Sequence, residues 1–571
     1  MQLSLFAPEA SKITLRPYQE EALSAIEEAY TRGIRRPVVA LATGLGKTIV
    51  FSELLRRRGD TAMVIAHRDE LIRQAVEKIR FVIPHAEIGI VKAEENQKDA
   101  QIVVASIQSL HEKRLRQWMP DRFATIVIDE AHHAIAPSYR RVAEYFRPDI
   151  LLGVTATPFR GDRITLAEVF DDVVYSFGIV DGIRSGYLAD IEAYRIETDI
   201  NLDHVRTMAG DFSEKELIQA INTEERNQIV VHAYQHHADG KKTIIFAAGV
   251  PHAMQLVDRF RAVGIPADAV FGHTPVQERR SILERFRTGL VPVLVNVGVL
   301  TEGFDEPSVE AVILARPTKS RVLYTQMVGR GTRLSPGKDR LILIDVVDST
   351  TRHRLISISE LIGVPGDVKS GRRVTEAIRE DEEERTKGYR TAIVQALPDA
   401  RSERVTDLFR DFRPPEYDWR DVLRMLDMHR EDTESYASGR DAFRERWGDA
   451  PDTSVTDGQI AALTGFGWPK RELKRLTRYE ASYCIEQHLD LLQDVRRQRV
   501  EAWSEVLDLP PERVAQKFTQ PWQFKPVTDK QKALLARFHV DVPPVMTAGE
   551  ASILIDLLLS RPKEKDEAEV V

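Results

Sequence analysis

The chain has 571 residues, of which 43% are hydrophobic and 29% charged, and its net charge is −8. This composition predicts a globular protein of several domains. It excludes a membrane-spanning chain, because no apolar run approaches the roughly 18 residues that a span needs. The single cysteine, Cys484, excludes an internal disulfide and a cysteine-based zinc site. The first residues lack a basic segment followed by a long apolar stretch, so the predicted location is the cytoplasm.

Two series of short apolar runs alternate with helical stretches between about residues 11 and 365. The first series predicts strands at Val38–Ala42, Ala62–Ala66, Ile102–Ser106, Thr125–Asp129 and Leu151–Thr155. The second series predicts strands at Thr243–Ala247, Asp268–Phe271, Val293–Asn296, Ala311–Ala315 and Leu341–Asp345. Continuous apolar strands separated by helices indicate parallel sheets covered on both faces. The predicted fold class is therefore α/β, with two tandem parallel-sheet domains at residues 11–200 and 201–365.

The most informative string, Ala42–Thr48, lies between the first predicted strand and a predicted helix. A glycine-rich turn at this place directs backbone N–H groups toward phosphate oxygens. Lys47 suits the β- and γ-phosphates and the Thr48 hydroxyl suits Mg²⁺. Leu41 stands where the full phosphate-loop pattern has glycine.

A second string, Asp129–His132, follows the strand at Thr125–Asp129. Two carboxylates at the carboxyl end of a parallel strand lie where open α/β sheets bind ligands. Asp129 would complete the Mg²⁺ shell, and Glu130 would polarise a water for attack on the γ-phosphate. Together the two strings predict a nucleoside triphosphate site.

Other polar segments also follow predicted strands. Gln19, in Leu15–Gln19, would read an adenine edge. Residues 66–71 and 104–110 each open a helix, and such N-termini suit nucleic-acid phosphates. Ordinary helix capping by Asp69 or Ser106 is the alternative. Residues 154–158 place two hydroxyl groups beside Asp129–His132.

The second domain contains Asn296–Asp305 and Gln326–Arg333. Arg330 and Arg333, three residues apart on a predicted helix, would share one face. Across a cleft from the phosphate loop they would act as arginine fingers. A solvent-exposed pair is the alternative.

In this order, the segments resemble the motifs of superfamily-two helicases of the DEAH-box type. Matching segments are residues 42–48 (motif I), 66–71 (Ia), 104–110 (Ib), 129–132 (II), 155–158 (III), 295–307 (V) and 324–334 (VI). The resemblance implies two RecA-like lobes, ATP·Mg²⁺ in the cleft between them, and a nucleic-acid strand that crosses both lobes.

The resemblance also assigns residue roles. The catalytic set is Lys47, Thr48, Asp129, Glu130, Arg330 and Arg333, with Thr48 and Asp129 as the metal ligands. Nucleotide contacts are assigned to Arg16, Gln19, Thr43, Gly44, Leu45, Gly46, Lys47, Thr48, Gly303 and Asp305. Contacts to a nucleic-acid backbone are assigned to Arg68, Ser106, Gln108 and Thr301.

The remaining chain is predicted to be mainly helical, with a charged linker at 366–390 and an accessory region at 391–571. Within that region, Val455–Gln459 recurs as Val527–Gln531, and Leu476–Ser482 recurs as Met546–Ser552. Each copy is typical of a helix capped by threonine, a turn, and a second threonine-capped helix with Glu at its third position. Helical hairpins are therefore predicted at 455–490 and 527–560. Cys484 aligns with Leu554, which favours a core position.

The first hairpin copy is the more basic of the two. Its turn and second helix carry a cluster of basic residues, followed shortly by three arginines: Lys470, Arg471, Lys474, Arg475 and Arg478, then Arg496, Arg497 and Arg499. We expect this copy to bind duplex phosphates, because neutralising phosphates releases counterions. A solvated basic face or a protein-docking surface is the alternative.

Residues 291–333 resemble the XPB/RadD-like and restriction-subunit-like branch, which acts on double-stranded or branched DNA. The cysteine-rich module of RadD is absent, and no nuclease motif stands out in the sequence. The resulting expectation is a monomeric ATP-dependent DNA helicase or translocase in repair or recombination, with any protein partner unidentified. The alternatives are the motor subunit of a restriction or phage-defence complex, an RNA helicase, and a non-catalytic nucleic-acid clamp.

Overall fold

The computed structural model describes residues 13–156, 166, 169–208, 211–301, 303–350, 353, 355–364, 368–396, 419–431, 433–447, 451–507, 509–519, 521–543 and 546–559. Over these residues the chain forms two compact units. The first unit comprises Met1–Arg206, Asp211–Ser357 and Lys369–Thr375. The second unit comprises Thr207–Gly210, Ile358–Val368 and Glu376–Val571.

The first unit contains an eight-stranded sheet with the strand order β4-β3-β5-β2-β6-β7-β1-β8. Its strands are β1 Pro37–Leu41, β2 Ala62–Ala66, β3 Ile88–Lys92, β4 Glu95–Asn96, β5 Ile102–Ser106, β6 Thr125–Asp129, β7 Ile150–Thr155 and β8 Asp172–Phe177. Neighbours pair in parallel, except that β3 and β4 are antiparallel. Because β6, β7 and β1 are adjacent and parallel, their carboxyl ends lie side by side at one edge of the sheet.

The same unit contains a seven-stranded sheet with the order β13-β14-β12-β15-β16-β9-β17. Its strands are β9 Asp190–Asn201, β12 Thr243–Phe246, β13 Ala267–Val270, β14 Val293–Asn296, β15 Ala311–Leu314, β16 Arg340–Ser349 and β17 Arg372–Arg373, and the short strands β10 Thr207–Met208 and β11 Asp211–Phe212 lie outside it. Pairing is parallel except between β17 and β9. The second sheet therefore begins at Asp190, inside the range that the sequence assigned to the first domain.

The helices of the first unit connect these strands. They are Pro17–Thr31, Lys47–Arg58, Asp69–Val82, Glu112–Leu115, Pro137–Tyr145, Ile179–Arg184, Glu214–Ile221, Glu224–His237, Val250–Ala262, Val276–Arg287 and Arg321–Val328, with single 3₁₀ turns at Ile107–Ser109 and Ala131–His133. Helical crossovers between parallel strands give the two α/β layers that the sequence predicts.

The second unit is helical. Its helices are Ile358–Ile362, Val374–Ala396 (which begins at the end of the first unit), Trp419–Glu431, Thr433–Trp447, Asp457–Gly465, Lys470–Leu473, Arg478–Leu507, Pro511–Ala515, Asp529–Arg537 and Ala548–Leu559, with 3₁₀ turns at Gln516–Phe518 and Pro521–Phe524. The helix Val374–Ala396 covers most of the predicted charged linker. Among the described residues, no helix has the length and apolar character needed to cross a membrane.

The two hairpin copies share one hydrogen-bonded frame. Thr456 and Gln459 form a capping box at the first helix of one copy, and Thr528 and Gln531 form the same box in the other. Each glutamine then donates to the serine of the second helix: Gln459 to Ser482 Oγ (2.7 Å) and Gln531 to Ser552 Oγ (3.1 Å). The predicted helical hairpins are confirmed.

Cys484 and Leu554 occupy equivalent core positions in these hairpins, and both are 0% exposed. Burial raises the pKa of the Cys484 thiol well above its ordinary value, which disfavours the reactive thiolate. The predicted core role of this cysteine is confirmed.

Candidate nucleotide site and nucleic-acid contacts

The loop between β1 and helix Lys47–Arg58 has the backbone of a phosphate-binding turn. Gly44 and Gly46 have φ angles of +90° and +79°, which side chains other than glycine rarely adopt. Gly46 caps the helix, and its carbonyl accepts from the backbone N–H groups of Ile49 and Val50. The positive end of the helix therefore faces the loop, where it favours an anion.

Lys47 and Glu130 meet at the carboxyl edge of the first sheet. Lys47 Nζ lies 3.6 Å from Glu130 Oε1 and 3.5 Å from the carbonyl oxygen of Leu41, the last residue of β1. Glu130 is only 6% exposed and has φ +51°, a strained conformation for a residue with a side chain. Such strain costs about 1–3 kcal/mol and is found mainly at functional sites.

Asp129 and His132 complete this cluster. Asp129 Oδ1 accepts the backbone N–H of Glu130 at 3.0 Å, which orients the carboxylate at the end of β6. His132 Nδ1 lies 3.4 Å from Glu130 Oε2 and 3.3 Å from Thr155 Oγ1. One of the two hydroxyl groups expected beside Asp129–His132 is thus found there, whereas Thr157 and Pro158 lie outside the described residues.

The loop contains a buried hydroxyl group whose partner is missing. Thr43 is 5% exposed, and its Oγ1 has no hydrogen-bond partner among the described residues. A buried, unsatisfied hydroxyl is costly, and a phosphate oxygen at this loop would accept a hydrogen bond from it. The hydroxyl of Thr48 and the carboxylate of Asp129 are hard oxygen ligands of the kind that Mg²⁺ prefers, so the residues present fit a nucleotide–Mg²⁺ complex.

The segment Arg16–Gln19 is tied to the phosphate loop. Tyr18 OH donates to the carbonyl oxygen of Leu45 at 2.9 Å, and Gln19 Nε2 donates to the same oxygen at 3.1 Å. Gln19 Oε1 accepts from the backbone N–H of Arg16 at 3.0 Å. Burial raises the pKa of Tyr18, which keeps its hydroxyl protonated and donating. Tyr18 has no role in the sequence prediction, although it lies within the string that holds Gln19.

Arg330 and Arg333 lie beyond the end of their helix. The helix Arg321–Val328 ends before Gly329, so the prediction that both arginines lie on a helix is wrong. Gly331 continues the turn, and an added Cβ there would lie 2.3 Å from Cδ1 of the buried Leu341, so a larger residue would displace that side chain. Arg330 Nη1 and Arg333 Nη1 nevertheless meet at one acceptor, the carbonyl oxygen of Phe304, at 2.8 and 3.0 Å.

The turn that carries these arginines packs against the phosphate loop. A Cβ added to Gly44 would lie 3.2 Å from Arg333 Cγ, and a Cβ added to Gly329 would lie 2.7 Å from Thr43 Cβ. Arg333 also forms an ion pair with Asp305 at 2.6 Å, and burial lowers the pKa of its guanidinium. The structure therefore brings Arg333 and Asp305 to the loop.

Gly303 faces a different element. It has φ +71°, and an added Cβ would lie 3.0 Å from Glu70 Cβ. Its carbonyl oxygen accepts from Gln74 Nε2 at 2.5 Å. Its observed neighbours thus belong to helix Asp69–Val82 of the first domain.

The predicted nucleic-acid contacts form two pairs. Arg68 Nη1 and Thr301 Oγ1 both donate to the carbonyl oxygen of Gly298, at 2.8 and 3.1 Å, so this pair joins the two sheet domains. Ser106 Oγ donates to Gln108 Oε1, and Gln108 Nε2 donates to the His67 carbonyl oxygen at 2.9 Å. The second pair therefore joins the ends of β2 and β5.

The basic residues of the first hairpin lie in the second unit. Lys470, Arg471, Lys474 and Arg475 are exposed. Glu472 is the acidic residue among them, at 3.4 Å from Arg471 and 3.0 Å from Arg475. Arg499 differs from the sequence expectation, because it is 1% exposed and forms an ion pair with Glu550.

Two family models match the chain. The type III restriction enzyme res-subunit model matches residues 12–160, and the helicase conserved C-terminal domain model matches residues 225–335. Together with the relatives below, the two matches place the chain among the superfamily-two helicases.

Three named relatives show which helicases and translocases the chain is similar to. The chain is 34% identical to IRC3 of Saccharomyces cerevisiae, named as an ATP-dependent helicase, over 62% of this chain and 54% of that protein. It is 36% identical to irc3 of Schizosaccharomyces pombe, named as a mitochondrial ATP-dependent helicase, over 62% of this chain and 61% of that protein. It is 25% identical to the DNA 3′-5′ translocase XPB2 of Sulfurisphaera tokodaii, over 60% of this chain and 84% of that protein. The chain thus spans little more than half the length of the first two relatives.

Proposed function

We propose that this chain is an ATP-driven motor that moves along double-stranded or branched DNA in repair or recombination. The observation that supports this most strongly is the convergence of Lys47, Glu130 and Arg333 on the loop at Gly44. Lys47 and Glu130 come from one sheet domain and Arg333 from the other. A change in the spacing between the domains therefore alters the nucleotide site.

Hydrolysis in this proposal takes place at the carboxyl edge of the first sheet. Glu130 accepts a proton from the attacking water, while Lys47 leaves Glu130 to neutralise the β- and γ-phosphates. Arg330 and Arg333 stabilise the charge that develops on the transferring group. The small separation of Glu130 and His132 suggests that His132 orients the carboxylate.

Nucleotide and metal contacts use the oxygen and amide groups around the loop. Thr48 and Asp129 would hold Mg²⁺, which when bound neutralises charge on the phosphate oxygens. The backbone from Thr43 to Gly46 would hold the phosphates. Gln19 and Arg16 would contact the base. Gln19 would use the second hydrogen-bonding position of each of its amide atoms. Gly303 and Asp305 would contact the nucleotide from the second domain.

Coupling to a nucleic-acid strand is proposed through the contacts that join the domains. Arg68 and Thr301 share the Gly298 carbonyl oxygen, so opening the cleft would separate two predicted backbone-binding side chains. Ser106 and Gln108 stay together on the first domain. If the pair Arg68–Thr301 and the pair Ser106–Gln108 released the strand in turn, the protein would move along it.

The first hairpin copy is the proposed second DNA contact. Its exposed Lys470, Arg471, Lys474 and Arg475 would bind duplex phosphates. The names of the relatives XPB2 and IRC3 support a DNA substrate and ATP dependence. Cytoplasmic location and a monomeric state are further proposals, which fractionation and analytical ultracentrifugation test.

The test is ATP turnover of the full chain with single-stranded DNA, duplex DNA, forked DNA or RNA. We expect forked or duplex DNA to stimulate turnover most. Lys47→Ala and Glu130→Gln should abolish turnover while the thermal unfolding midpoint stays within a few degrees. Stimulation by RNA alone would contradict the choice of DNA. Substantial turnover in either variant would contradict the mechanism, and no stimulated turnover in the wild type would favour a non-catalytic clamp.

A further inference from the structure

Lys338 binds the turn that carries the two arginines. Its Nζ donates to the carbonyl oxygens of Gly331 at 2.5 Å, Arg333 at 2.9 Å and Pro307 at 3.4 Å. A lysine ammonium has three N–H donors, and all three find backbone acceptors here. Gly331 and Arg333 belong to the arginine-bearing turn, whereas Pro307 follows the segment that contains Phe304 and Asp305.

A tight turn brings Lys338 back over this segment. The backbone N–H of Lys338 donates to the carbonyl oxygen of Ser335 at 3.0 Å, and Gly337 has φ +79°. Proline at the second position and glycine with positive φ at the third are typical of a type II turn. Ser335–Pro336–Gly337–Lys338 therefore reverses the chain and places the lysine against carbonyls that precede it in sequence.

The rest of the arginine-bearing turn is also held through its backbone. Thr332 Oγ1 donates to the carbonyl oxygen of Gly329 at 3.3 Å. The backbone N–H of Ala189 donates to the carbonyl oxygen of Thr332 at 2.7 Å. Lys338 supplies the donors for the carbonyls of Gly331 and Arg333. The position of the Arg333 backbone, and with it the reach of its guanidinium, thus depends on Lys338.

The geometry points to Lys338 as a positioning residue for the arginine fingers, acting through the backbone of Gly331 and Arg333 and not on the nucleotide itself. This inference rests on the proposed ATPase function. It assigns the effect to the chemical step, because misplacing a catalytic group by about 1 Å can lower a rate by roughly 100-fold. Binding of the ATP ground state, which depends on Lys47 and the loop at Thr43–Gly46, would change little.

The ammonium group of Lys338 has a lower pKa than an ordinary lysine. Burial lowers its pKa to about 8; Arg333 also lowers this pKa, and Glu310 opposes both. A group with a lowered pKa of this kind is charged below about pH 8 and becomes neutral as the pH rises through that value. We therefore expect kcat at saturating ATP to fall above about pH 8. An arginine at this position stays protonated throughout, so Lys338→Arg should remove that fall.

The experiment compares Lys338→Met, Lys338→Arg and the control Lys215→Met, an exposed lysine, in DNA-stimulated turnover. We expect Lys338→Met to lower kcat by roughly 10- to 100-fold. The affinity for a non-hydrolysable ATP analogue should change less than threefold in this variant, and Lys215→Met should match the wild type. Lys338→Arg should retain most of the turnover and lose the alkaline fall.

Three outcomes would overturn the inference: wild-type kcat in Lys338→Met, a loss of analogue affinity as large as the loss of kcat, or an unchanged alkaline fall in Lys338→Arg. The last readout applies even if Lys338→Met does not fold. Lys47→Ala, measured in the same assay, separates the two proposals. The turnover of Lys47→Ala tests the ATPase function alone. If Lys47→Ala has no turnover while Lys338→Met turns over at the wild-type rate, only the role of Lys338 is rejected.

Discussion

The two units of this chain are organised in opposite ways. In the first unit, segments far apart in sequence converge on one loop, since Arg333 and Gly329 both pack against residues 43 and 44. In the second unit, one local frame of capping residues is used twice, in the hairpins at 455–490 and 527–560. The candidate site of the first unit therefore depends on contacts between residues that are distant in sequence. The two hairpins share one backbone frame and differ in the side chains attached to it.

The equivalent glutamates of the two hairpins have ion-pair partners that differ in exposure. In the first copy, Glu480 accepts from Thr477 N and from Arg430, whose side chain is 34% exposed. In the second copy, Glu550 accepts from Thr547 N and Arg499, and the side chains of this pair are 0% and 2% exposed. The first copy has exposed cations around Lys470, while Glu550 of the second copy forms a buried ion pair with Arg499. This contrast supports the proposal that the first copy binds DNA and the second stabilises the core.

Arg333→Ala should produce the largest effect and should be confined to the first unit. An arginine finger contributes about 10³–10⁵ in kcat, so we expect a fall of at least about 10³-fold in DNA-stimulated turnover. Hydrogen exchange of the hairpin helices should not change. Arg333→Lys keeps the charge but loses the planar donor fork, and it should restore little activity. Turnover of Arg333→Ala close to the wild type would remove this residue from the mechanism.

Glu550→Ala and Glu480→Ala test the contrast between the hairpins. Removing Glu550 leaves the charge of Arg499 buried, which costs about 3–5 kcal/mol. Removing Glu480 leaves a charge that water partly solvates, and we expect about 1–3 kcal/mol. Hydrogen exchange of residues 478–490 reports on the first copy, and that of Ala548–Leu559 reports on the second. Equal losses in the two variants would contradict the assignment of core stability to the second copy.

Low pH should weaken the first hairpin through Glu480. Burial alone would raise the pKa of Glu480, but the hydrogen bond from Arg430 and that from Thr477 N outweigh it and lower this pKa. A carboxylate with a lowered pKa contributes stability above its unfolded pKa of about 4.3, and this stability is lost as the pH falls through the folded value. Protection of Arg478–Leu507 should therefore fall below about pH 4 in the wild type and depend less on pH in Glu480→Gln. Identical pH profiles would contradict this role for Glu480.

Replacing Lys470, Arg471, Lys474 and Arg475 with glutamine should weaken DNA binding and its salt dependence. Each lost phosphate contact lowers the slope of log affinity against log salt by roughly 0.9. The matched control replaces the exposed cations of the second copy, Lys530, Lys532 and Arg537. We expect a smaller change in the control, measured by fluorescence anisotropy at several salt concentrations. Equal changes in the two variants would remove the distinction between the copies.

Thr456→Ala and Thr528→Ala should have the smallest effects and should match each other. Each threonine accepts the backbone N–H of the glutamine three residues later at 3.3 Å. Loss of such a cap costs about 1 kcal/mol. A difference much larger than this between the variants, in hydrogen exchange of each copy, would show that the frame is not equivalent in the two hairpins.

The sequence predicts most of the sheet strands and misses those with a different burial pattern. Each predicted strand occurs, and each begins within one residue of its predicted start. Among the missed strands, β3, β8 and β9 are only partly buried, and β4 and β17 have two residues each. The burial of β9 alternates at its start, and the strand is more exposed toward its end. β9 is therefore absent from the predicted strands, and the predicted start of the second sheet is too late.

The candidate site is predictable where a motif is local. Lys47 and Glu130 follow from strand–turn–helix strings, and the hairpin caps follow from threonine, glutamine and glutamate at fixed spacing. The pairing of Arg333 with Asp305, and the turn that returns Lys338, depend on contacts between residues that no spacing rule connects. Just beyond the helix end, Gly329 lies against Thr43 and Gly331 against Leu341, and the sequence alone does not reveal these contacts.

The most direct test of the central claim is ATP turnover in the presence of forked DNA, compared between the wild type and Glu130→Gln. We expect forked DNA to stimulate the wild type. We also expect Glu130→Gln to bind ATP and DNA with near wild-type affinity but to turn over at least about 100-fold more slowly, because a general base is lost. Turnover of Glu130→Gln within a few-fold of the wild type would contradict the account.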